Sequence, residues 1–527
     1  MASMYRRETP RFQISYFAVL FWVAFWFILG CLYAFAAQVE DIAPGSHGTE
    51  LEQRIAAAPD GTTFRFLPGT HRITQTLDIA RGHVALVGEE GARIVLAMES
   101  GDGIAFRGPR PVLLGRLQAD AEAGAREVTV EPGHGFKAGD VIYMQQRNTR
   151  EWLDSHGWTN ISMDAARRRP FRETMHVVES VDGARVRLAT PLAYALEAGL
   201  ATFHSVALLE GVRAENLTIT HDFGRADAND FTNPHPVFTR THALIVSGTR
   251  GAVVRDVRLH DTVSTAFTLH ASIRAEVEDL TVERAHNKGG GGNGYGVQLS
   301  EAFDNRLTGL TILGVRHGLI LSAWNAEVGN HIEILRTDRD TNLHGSPDHS
   351  NTLVIHEAVL DYGASGRNWM VLAPGARNHA LTDFAANDIR FARAVGDARG
   401  RAERHDVLHA LDDGAFLSGG LGRDRLVGGR GADVIVGGAH DDVKTGGAGA
   451  DTFVVHPGAG ADRITDFGAN DRLVLSGLPA PRLIRTIEGM RVESGDVSVL
   501  LEGVTRLEAE AIVLDAEGAY SAARLGV

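Results

Sequence analysis

Residues 419–454 read GGLGRDRLV GGRGADVIV GGAHDDVKT GGAGADTFV, which are four nine-residue units in unbroken register. Each unit begins with a glycine pair and ends in a strand-like triplet, such as residues 434–436. The sixth position of the units is always aspartate, at Asp424, Asp433, Asp442 and Asp451. Glycine pairs permit tight turns with positive φ and expose backbone carbonyls. A flexible glycine-rich linker would not hold aspartate in phase four times, so the pattern predicts a folded, repeating turn.

The spacing matches the G-G-x-G-x-D-x-U-x nonapeptide of calcium-binding parallel β-rolls. Ca²⁺ takes six to eight oxygen ligands at roughly 2.3–2.6 Å, so one unit cannot complete the shell and successive turns must share the ions. We therefore predict Ca²⁺ as cofactor. The expected ligand positions are Asp424, Asp433, Asp442, Asp451, Asp462, Gly420, Gly422, Gly429, Gly431, Gly438, Gly447 and Gly449. His440 replaces a glycine, which predicts a strained turn or a weaker ion site.

The chain that follows the repeats, from Thr452 through Asp462 to Leu475, resembles the exit of RTX-type proteins. That family leaves Gram-negative cells unfolded and folds on meeting external calcium. The resemblance covers roughly residues 410–527 and implies a protein that works outside the cytoplasm. We expect a β-roll over 401–475 and a C-terminal β cap over 476–527, which is also a candidate export signal.

Bulk composition excludes some classes of function. The net charge is −14, from 66 acidic and 52 basic residues, which argues against a nucleic-acid partner. Cys31 is the one cysteine, so no internal disulfide forms and the fold must rely on packing and metal. A chain of 527 residues has room for two or three domains.

The N-terminus, residues 1–38, is predicted to be a targeting element. Arg6, Arg7 and Arg11 precede an apolar stretch at 16–37 that is long enough to span a bilayer. The A-x-A sequence at 34–36 is equally consistent with a cleavable signal peptide. The protein is therefore expected to be secreted, or anchored in the inner membrane and facing the periplasm or exterior of a Gram-negative bacterium.

Residues 39–400 show strand triplets at solenoid spacing. Their first residues are Leu217, Val257, Leu280, Leu310, Ile332 and Leu353, separated by steps of 40, 23, 30, 22 and 21. One coil of a right-handed parallel β-helix takes about 22 residues, with the step of 40 read as two coils and 30 as one coil plus an insertion. A β-sandwich would not keep such a period.

The first coils, over residues 64–88, resemble those of pectate-lyase-type β-helices. A β insertion is expected at about 110–200. The predicted fold class is all-β, a right-handed parallel β-helix followed by a calcium-binding parallel β-roll.

Aligning the coils brings polar residues into one column. The strand beginning at Gly296 falls above the strand beginning at Gly318, and the next coil lands near 339–343. The candidate catalytic residues are Tyr295, Arg316, His317 and His344, and the candidate supporting residues are Asp338, Asp340, Asp348 and His349. Neighbouring coils lie about 4.8 Å apart, so these groups should converge. Solvated turns also place such residues only to satisfy backbone groups.

The tripeptide Arg316–His317–Gly318, together with the joined β-helix and RTX modules, resembles the secreted mannuronan C5-epimerases. In that family the arginine neutralises the substrate carboxylate, while a nearby tyrosine and histidine transfer protons. The family's D-P-H-E/D motif is missing. Its nearest counterpart, Asn233-Pro-His235-Pro, precedes Arg316 by about 80 residues and is expected to lie too far along the helix. The same column also resembles tailspike-like depolymerases.

Three functions remain open on this reasoning. The first is removal of the C5 proton of an acidic, uronic-acid polysaccharide, by a C5-epimerase or a polysaccharide lyase. The second is a glycoside hydrolase, which requires paired carboxylates. The third is a non-catalytic surface or matrix protein that binds polysaccharide and calcium. Tyr295, His317 or His344 would transfer protons, and the aspartates would orient them or bind calcium.

Overall fold

The computed structural model describes residues 38–155, 162–164, 170–322, 325–343, 350–360, 371–372, 387–396, 405–516 and 519–520. Among these residues, no helix is both long and apolar enough to cross a membrane. The predicted targeting element at 1–37 lies outside the described residues, as do His344, Asp348 and His349.

The chain opens with the first coils of a solenoid. Their strands are β1 (Val39–Ile42), β2 (Gly45–His47), β3 (Thr62–Phe66), β4 (Gly69–Ile73), β5 (Leu77–Ile79), β6 (Val84–Gly88), β7 (Ala92–Leu96) and β8 (Ile104–Arg107), with helix α1 (Thr49–Ala57) after β2. Thr62 pairs in parallel with Val84, which is 22 residues later. The coil length predicted from the sequence is therefore present from the start.

An antiparallel excursion then leaves the solenoid. It consists of β9 (Val112–Arg116), β10 (Glu127–Thr129), β11 (Val141–Gln146), α2 (Arg150–Ser155), β12 (Arg172–Asp182), β13 (Arg185–Leu188) and β14 (Ala201–Ser205). When the solenoid resumes, Val212 stacks directly on Val84, so the excursion is inserted within a single coil. Its Tyr143 and Met175 pack with the solenoid residues Ile273 and Phe303, which fixes the excursion against the helix.

The main body of the β-helix follows. Its strands are β15 (Leu209–Glu210), β16 (Val212–Glu215), β17 (Thr218–His221), β18 (His242–Ser247), β19 (Thr249–Arg250), β20 (Val253–Arg255), β21 (Arg258–Thr262), β22 (Thr265–Ile273), β23 (Glu276–Glu278), β24 (Thr281–Ala285), β25 (Tyr295–Phe303), β26 (Arg306–Leu313), β27 (His317–Leu321), β28 (His331–Thr337), β29 (Thr341–Leu343), β30 (Thr352–Val359), β31 (Val371–Leu372) and β32 (Asp388–Val395), with a 3₁₀ turn at Pro236–Phe238. A coil such as β20–β21–β22 places two strands in one long parallel sheet and the third in a second sheet.

The bend between the first two strands of a coil has a local cause. Asn216, Asp256 and Asp279 occupy this corner in successive coils with φ of 54°, 52° and 53°. Asparagine and aspartate tolerate this left-handed region better than other side chains that contain a Cβ. In the next coil Gly309, with φ of 73°, takes the same place, and β26 runs continuously through it.

The predicted core column forms, but with a shift. All six triplet-leading residues are buried, with exposed fractions of 0–1%. Leu217, Val257, Leu280 and Leu310 are stacked through the registers of β17, β21, β24 and β26. Ile332 instead pairs with Leu307, because an irregularity in β26 changes the register there. The prediction of a single six-residue column is wrong, and two adjacent columns share these residues.

The step of 40 residues was also interpreted wrongly. Thr218 pairs directly with Arg258, so the step is one coil that contains a long insertion rather than two coils. The inserted residues 222–241, here called the corner loop, lie between β17 and β18. Length alone does not distinguish two short coils from one coil with an insertion.

The roll stacks directly on the helix, since Arg393 pairs with Phe416. Its strands are β33 (Val407–His409), β34 (Phe416–Leu421), β35 (Arg425–Val427), β36 (Val434–Ala439), β37 (Val443–Thr445), β38 (Thr452–Val455), β39 (Ala461–Ile464) and β40 (Arg472–Ser476). They are followed by β41 (Arg482–Arg485), β42 (Gly489–Ser494), β43 (Val497–Glu502), a 3₁₀ turn at Ala509–Ala511 and β44 (Ile512–Asp515). The predicted fold class, a right-handed parallel β-helix followed by a calcium-binding parallel β-roll, is confirmed.

Candidate functional site

The predicted polar column lies at the corner where each coil enters the second sheet. Tyr295 begins β25 and pairs with His317, which begins β27. Their ring centroids are 5.6 Å apart. Both strands begin here because the preceding turns contain glycine, at Gly294 and Gly314, with positive φ. The sequence therefore predicted this one-coil alignment correctly.

His317 is held by a buried carboxylate from the following coil. Its Nδ1 lies 2.8 Å from Asp340 Oδ2, and the side chains are only 4% and 3% exposed. A carboxylate accepts but does not donate, so Nδ1 must hold the proton. The neutral ring then presents Nε2 as an acceptor, which is the form that a general base needs. Asp340 thus orients His317, as the sequence predicted for one of the aspartates.

Arg316 is anchored on the glycine-rich segment of the preceding coil. Its Nη1 donates to the carbonyl of Gly289 at 2.8 Å, and its backbone N–H donates to Gly294 at 2.7 Å. Asp338 has a structural role, because it accepts the backbone N–H of Gly314 at 2.9 Å and forms an ion pair with Arg339 at 3.2 Å. Asp338 and Asp340 are thus each engaged in different contacts and do not form a carboxylate pair.

The corner loop brings a further histidine to this corner. Asn233 accepts the N–H of Gly289 at 2.8 Å, and the backbone N–H of His235 donates to Asn287 at 2.9 Å. The Asn233-Pro-His235-Pro string is therefore packed on the segment whose Gly289 carbonyl binds Arg316. The expectation that it lies too far along the helix is wrong, because the corner loop folds across the intervening coils.

His235 belongs to a cluster of rings that sequence reasoning missed. His235 stacks on Phe223 at 4.0 Å between centroids and contacts His286 at 5.2 Å. Burial, with the neighbouring His286 and His235, lowers the pKa of His221 to about 3. The Nε2 atoms of His221 and His286 are buried without a hydrogen-bond partner. No group of three metal-binding side chains with suitable geometry is found in the described residues.

Two buried cations fasten the corner loop. Lys288 and Arg339 are each 1% exposed. Lys288 Nζ donates to the carbonyls of Asp227 and Ala285, both at 2.6 Å, and Arg339 donates to Ala228 at 3.2 Å. Burial lowers the pKa of Lys288 to about 8. Lysine in a glycine-rich segment gives no sequence signal for burial, so only the folded loop reveals this role.

A second polar group lies at the seam between the excursion and the helix. Glu173 of β12 is 2% exposed and accepts from Tyr143 Oη at 2.8 Å and Gln145 Nε2 at 2.9 Å. Its Oε2 is buried without a hydrogen-bond partner. Burial, and secondly the charge of Glu301, raises the pKa of Glu173 to about 8. Glu301 accepts from Asn325 at 2.8 Å, so a neutral and an ionised carboxyl face each other across the seam.

The nonapeptide turns form two edges of the roll. Asp406, Asp424, Asp442 and Asp462 follow one another on the first edge, and Asp433, Asp451 and Asp471 on the second. In each case Oδ1 accepts the backbone N–H of the preceding coil, for example Asp424 N to Asp442 Oδ1 at 2.8 Å. The glycines are required, since a methyl group at Gly419 would overlap Asp424 Oδ2. His440 has a φ of 81°, so the predicted strained turn is present.

The geometry of the first edge fits a bound cation. Asp424 Oδ2 and Asp442 Oδ2 are buried and have no hydrogen-bond partner. Burial, with the charge of Asp406, raises the pKa of Asp424 to about 7, and burial, with the charge of Asp462, raises that of Asp442 to about 8. Acceptor atoms in this condition require a positive charge, and Ca²⁺ prefers such carboxylate oxygens together with turn carbonyls.

Residues 418–453 match the RTX calcium-binding nonapeptide repeat, in 4 copies. The roll is therefore a calcium-binding module. Gly420, Gly422, Gly438, Gly447 and Gly449 adopt positive φ in its turns. Gly429 and Gly431 have no room for a Cβ against residues 411–414. No curated protein matches the chain.

Several solved structures share the solenoid architecture. The tailspike gp61 of Pseudomonas phage phi297 is 13% identical with a TM-score of 0.44, and the alignment covers 80% of this chain and 66% of that one. The Gp54 tailspike of Acinetobacter baumannii bacteriophage AP22, solved with a capsular saccharide, is 10% identical with a TM-score of 0.48, covering 82% and 74%. PfbA, a surface adhesin of Streptococcus pneumoniae, is 8% identical with a TM-score of 0.33, covering 89% and 95%. Similarities this remote bear on neither activity nor substrate.

Proposed function

We propose that this protein is an extracytoplasmic enzyme that removes the C5 proton of a uronic-acid residue in an acidic polysaccharide, as a C5-epimerase or a polysaccharide lyase. The observation that supports it best is the buried His317–Asp340 pair beside Tyr295, with Arg316 on the adjoining backbone. Secretion by an RTX-type route, or anchoring by residues 16–37, belongs to the same proposal.

The chemistry assigns one task to each side chain. Arg316 neutralises the uronate carboxylate, because a guanidinium can bind a carboxylate through two parallel hydrogen bonds. His317 Nε2 takes the C5 proton, and Asp340 stabilises the imidazolium that forms. Tyr295 donates a proton, either to C5 from the opposite face or to the departing oxygen at C4. The first outcome inverts C5, whereas the second breaks the C4–O bond and leaves a C4–C5 double bond.

The test is to incubate the purified protein with a panel of uronans in calcium. Ultraviolet absorbance from an unsaturated product reports a lyase, and solvent deuterium at C5 without chain cleavage reports an epimerase. Arg316→Ala should lower kcat by a factor of about 10² to 10³, as loss of a transition-state charge partner typically does. Arg316→Lys should restore only part of it. His356→Asn, which alters an exposed ion pair with Glu333, is the matched control and should be fully active.

The position of His317 would overturn the proposal if it proved dispensable. Full activity in both His317→Gln and Arg316→Ala would exclude this corner as the reaction centre. Binding of a uronan without any product would instead favour a non-catalytic polysaccharide-binding protein.

Glycoside hydrolysis is a second candidate, because Glu173 and Glu301 provide the required contrast between a neutral acid and an ionised carboxylate. Glu173 would protonate the leaving oxygen, and Glu301 would act on the sugar or on a water molecule. Hydrolysis gives saturated reducing ends without ultraviolet absorbance. Glu173→Gln should abolish that product while Arg316→Ala leaves it unchanged, and the reverse pattern identifies C5 chemistry.

A further inference from the structure

One unit of the roll has a charged residue where the other three have an apolar one. The eighth position of the nonapeptides is occupied by Leu426, Ile435, Lys444 and Phe453. All four are fully buried, with exposed fractions of 0%. Lys444 pairs with Leu426 on one side and Ile464 on the other, so it interrupts an apolar column of the roll.

The ammonium group of Lys444 is directed at one carboxylate of the first edge. Its Nζ lies 2.6 Å from Asp462 Oδ2, and the two side chains are 0% and 1% exposed. Asp462 Oδ1 accepts the backbone N–H of Asp442 at 3.0 Å. Asp462 is therefore neutralised within the chain, whereas Asp424 Oδ2 and Asp442 Oδ2 on the same edge have no hydrogen-bond partner.

The turn next to Asp462 departs from the repeat at a second place. In unit 437–445 the fourth residue is His440 rather than glycine, at a φ of 81°. The backbone of the next turn is held by another route, since Ala461 N donates to Asp441 Oδ1 at 2.8 Å. Both departures from the nonapeptide thus fall in the unit that faces Asp462.

We propose that Lys444 replaces a calcium ion: its ammonium group supplies the positive charge between the Asp442 and Asp462 turns, so the first edge binds calcium between Asp424 and Asp442 but not at Asp462. The inference rests on the calcium binding of the roll described above. Two positive charges cannot share one buried carboxylate, because the second would remain without a counter-charge. Asp462, which the sequence suggested as a ligand, becomes the partner of a lysine.

The consequence is a coil that does not depend on calcium. The turn at Asp462 adjoins β39, which pairs with β43 of the C-terminal cap. This coil and the cap should therefore stay folded when calcium is removed, while the turns at Asp424 and Asp433 open. The roll would then have a preformed end on which the calcium-dependent units assemble.

The test is to count calcium ions bound per full-length chain by native mass spectrometry and by metal analysis after dialysis. Lys444→Met retains the bulk of the side chain without its charge, and it should bind one ion more than wild type. Asp462→Asn should bind the same number as wild type. Asp424→Asn is the matched control on the same edge and should bind one ion fewer.

The outcomes separate the proposal from the calcium binding on which it depends. A wild-type count of zero would overturn calcium binding itself. Loss of one ion in Asp462→Asn would overturn the lysine replacement, even if Lys444→Met failed to fold. An unchanged count in a folded Lys444→Met would do the same. Hydrogen exchange in the presence of a chelator gives an independent check, with residues 461–464 expected to stay protected longer than residues 434–439.

Discussion

The helix and the roll stack their coils on the same hydrogen-bond pattern but with different side chains. In the helix, Asn305, Asn330, Asn351 and Asn387 form a ladder in which each Oδ1 accepts the backbone N–H of the preceding coil, as Asn305 N to Asn330 Oδ1 at 3.1 Å. In the roll, Asp424, Asp442 and Asp462 make the same bond, as Asp424 N to Asp442 Oδ1 at 2.8 Å.

The difference lies in the second atom of each side chain. Asn330 Nδ2 donates to Asn351 Oδ1 and to the carbonyl of Ala302, both at 2.9 Å, so the amide ladder satisfies itself. The corresponding Oδ2 of Asp442 has no hydrogen-bond partner. An amide ladder is complete within the chain, whereas a carboxylate ladder needs a cation. One chain thus contains a solenoid segment that folds unaided and another whose folding is linked to calcium.

Calcium removal should produce the largest effect. With a chelator, amide protons in β34–β38 should exchange rapidly and β-sheet circular dichroism should fall, because the buried carboxylates repel one another. The strands β20–β30 should stay protected, and calcium should restore the roll. A roll that keeps its protection without calcium, at neutral pH, would contradict the comparison.

Asn330→Asp should break the amide ladder from within. The change removes two donated hydrogen bonds and buries a charge with no cation beside it, which typically costs about 3–5 kcal/mol. We expect the free energy of unfolding of the helix, measured in urea, to fall by that order, with the calcium midpoint of the roll unchanged. Asn229→Asp, on the exposed part of the corner loop, is the control and should have little effect. A loss of stability as small as the control's would show that the ladder is not structural.

Glu173 illustrates a third way to bury a carboxyl group, which is to keep its proton. Burial and the charge of Glu301 raise its pKa to about 8 in the folded state. A raised pKa contributes stability that is complete below the unfolded value, about 4.3, and is lost as pH rises through about 8. The stability advantage of Glu173→Gln over wild type should therefore grow between pH 5 and pH 9, as measured by urea unfolding. Glu179→Gln, which changes an exposed ion pair with Arg187, should show no such trend.

The sequence predicted what is periodic and missed what depends on long loops. The nonapeptide phase and the alignment of Tyr295 with His317 follow from local counting, since stacking at one-coil offsets is set by chain length. The corner loop defeated counting, because the 40-residue step fits two coils as well as one coil with an insertion. His235 and Lys288 therefore gained their partners from tertiary folding alone. The pairing of Lys444 with Asp462 was equally hidden, although the lysine itself broke the apolar pattern in plain view.

The smallest expected effect concerns the one unit of the roll that departs from the glycine pattern. His440 adopts a φ of 81°, a region that costs a residue with a Cβ about 1–3 kcal/mol. His440→Gly should relieve this strain, so less calcium should be needed to fold the roll and the midpoint of a calcium titration should fall. Arg430→Gly, in the preceding unit at an exposed position without positive φ, is the matched control and should leave the midpoint unchanged or raise it slightly. If both variants shift the midpoint equally, strain at His440 does not limit folding, and the roll's dependence on calcium comes from its carboxylates alone.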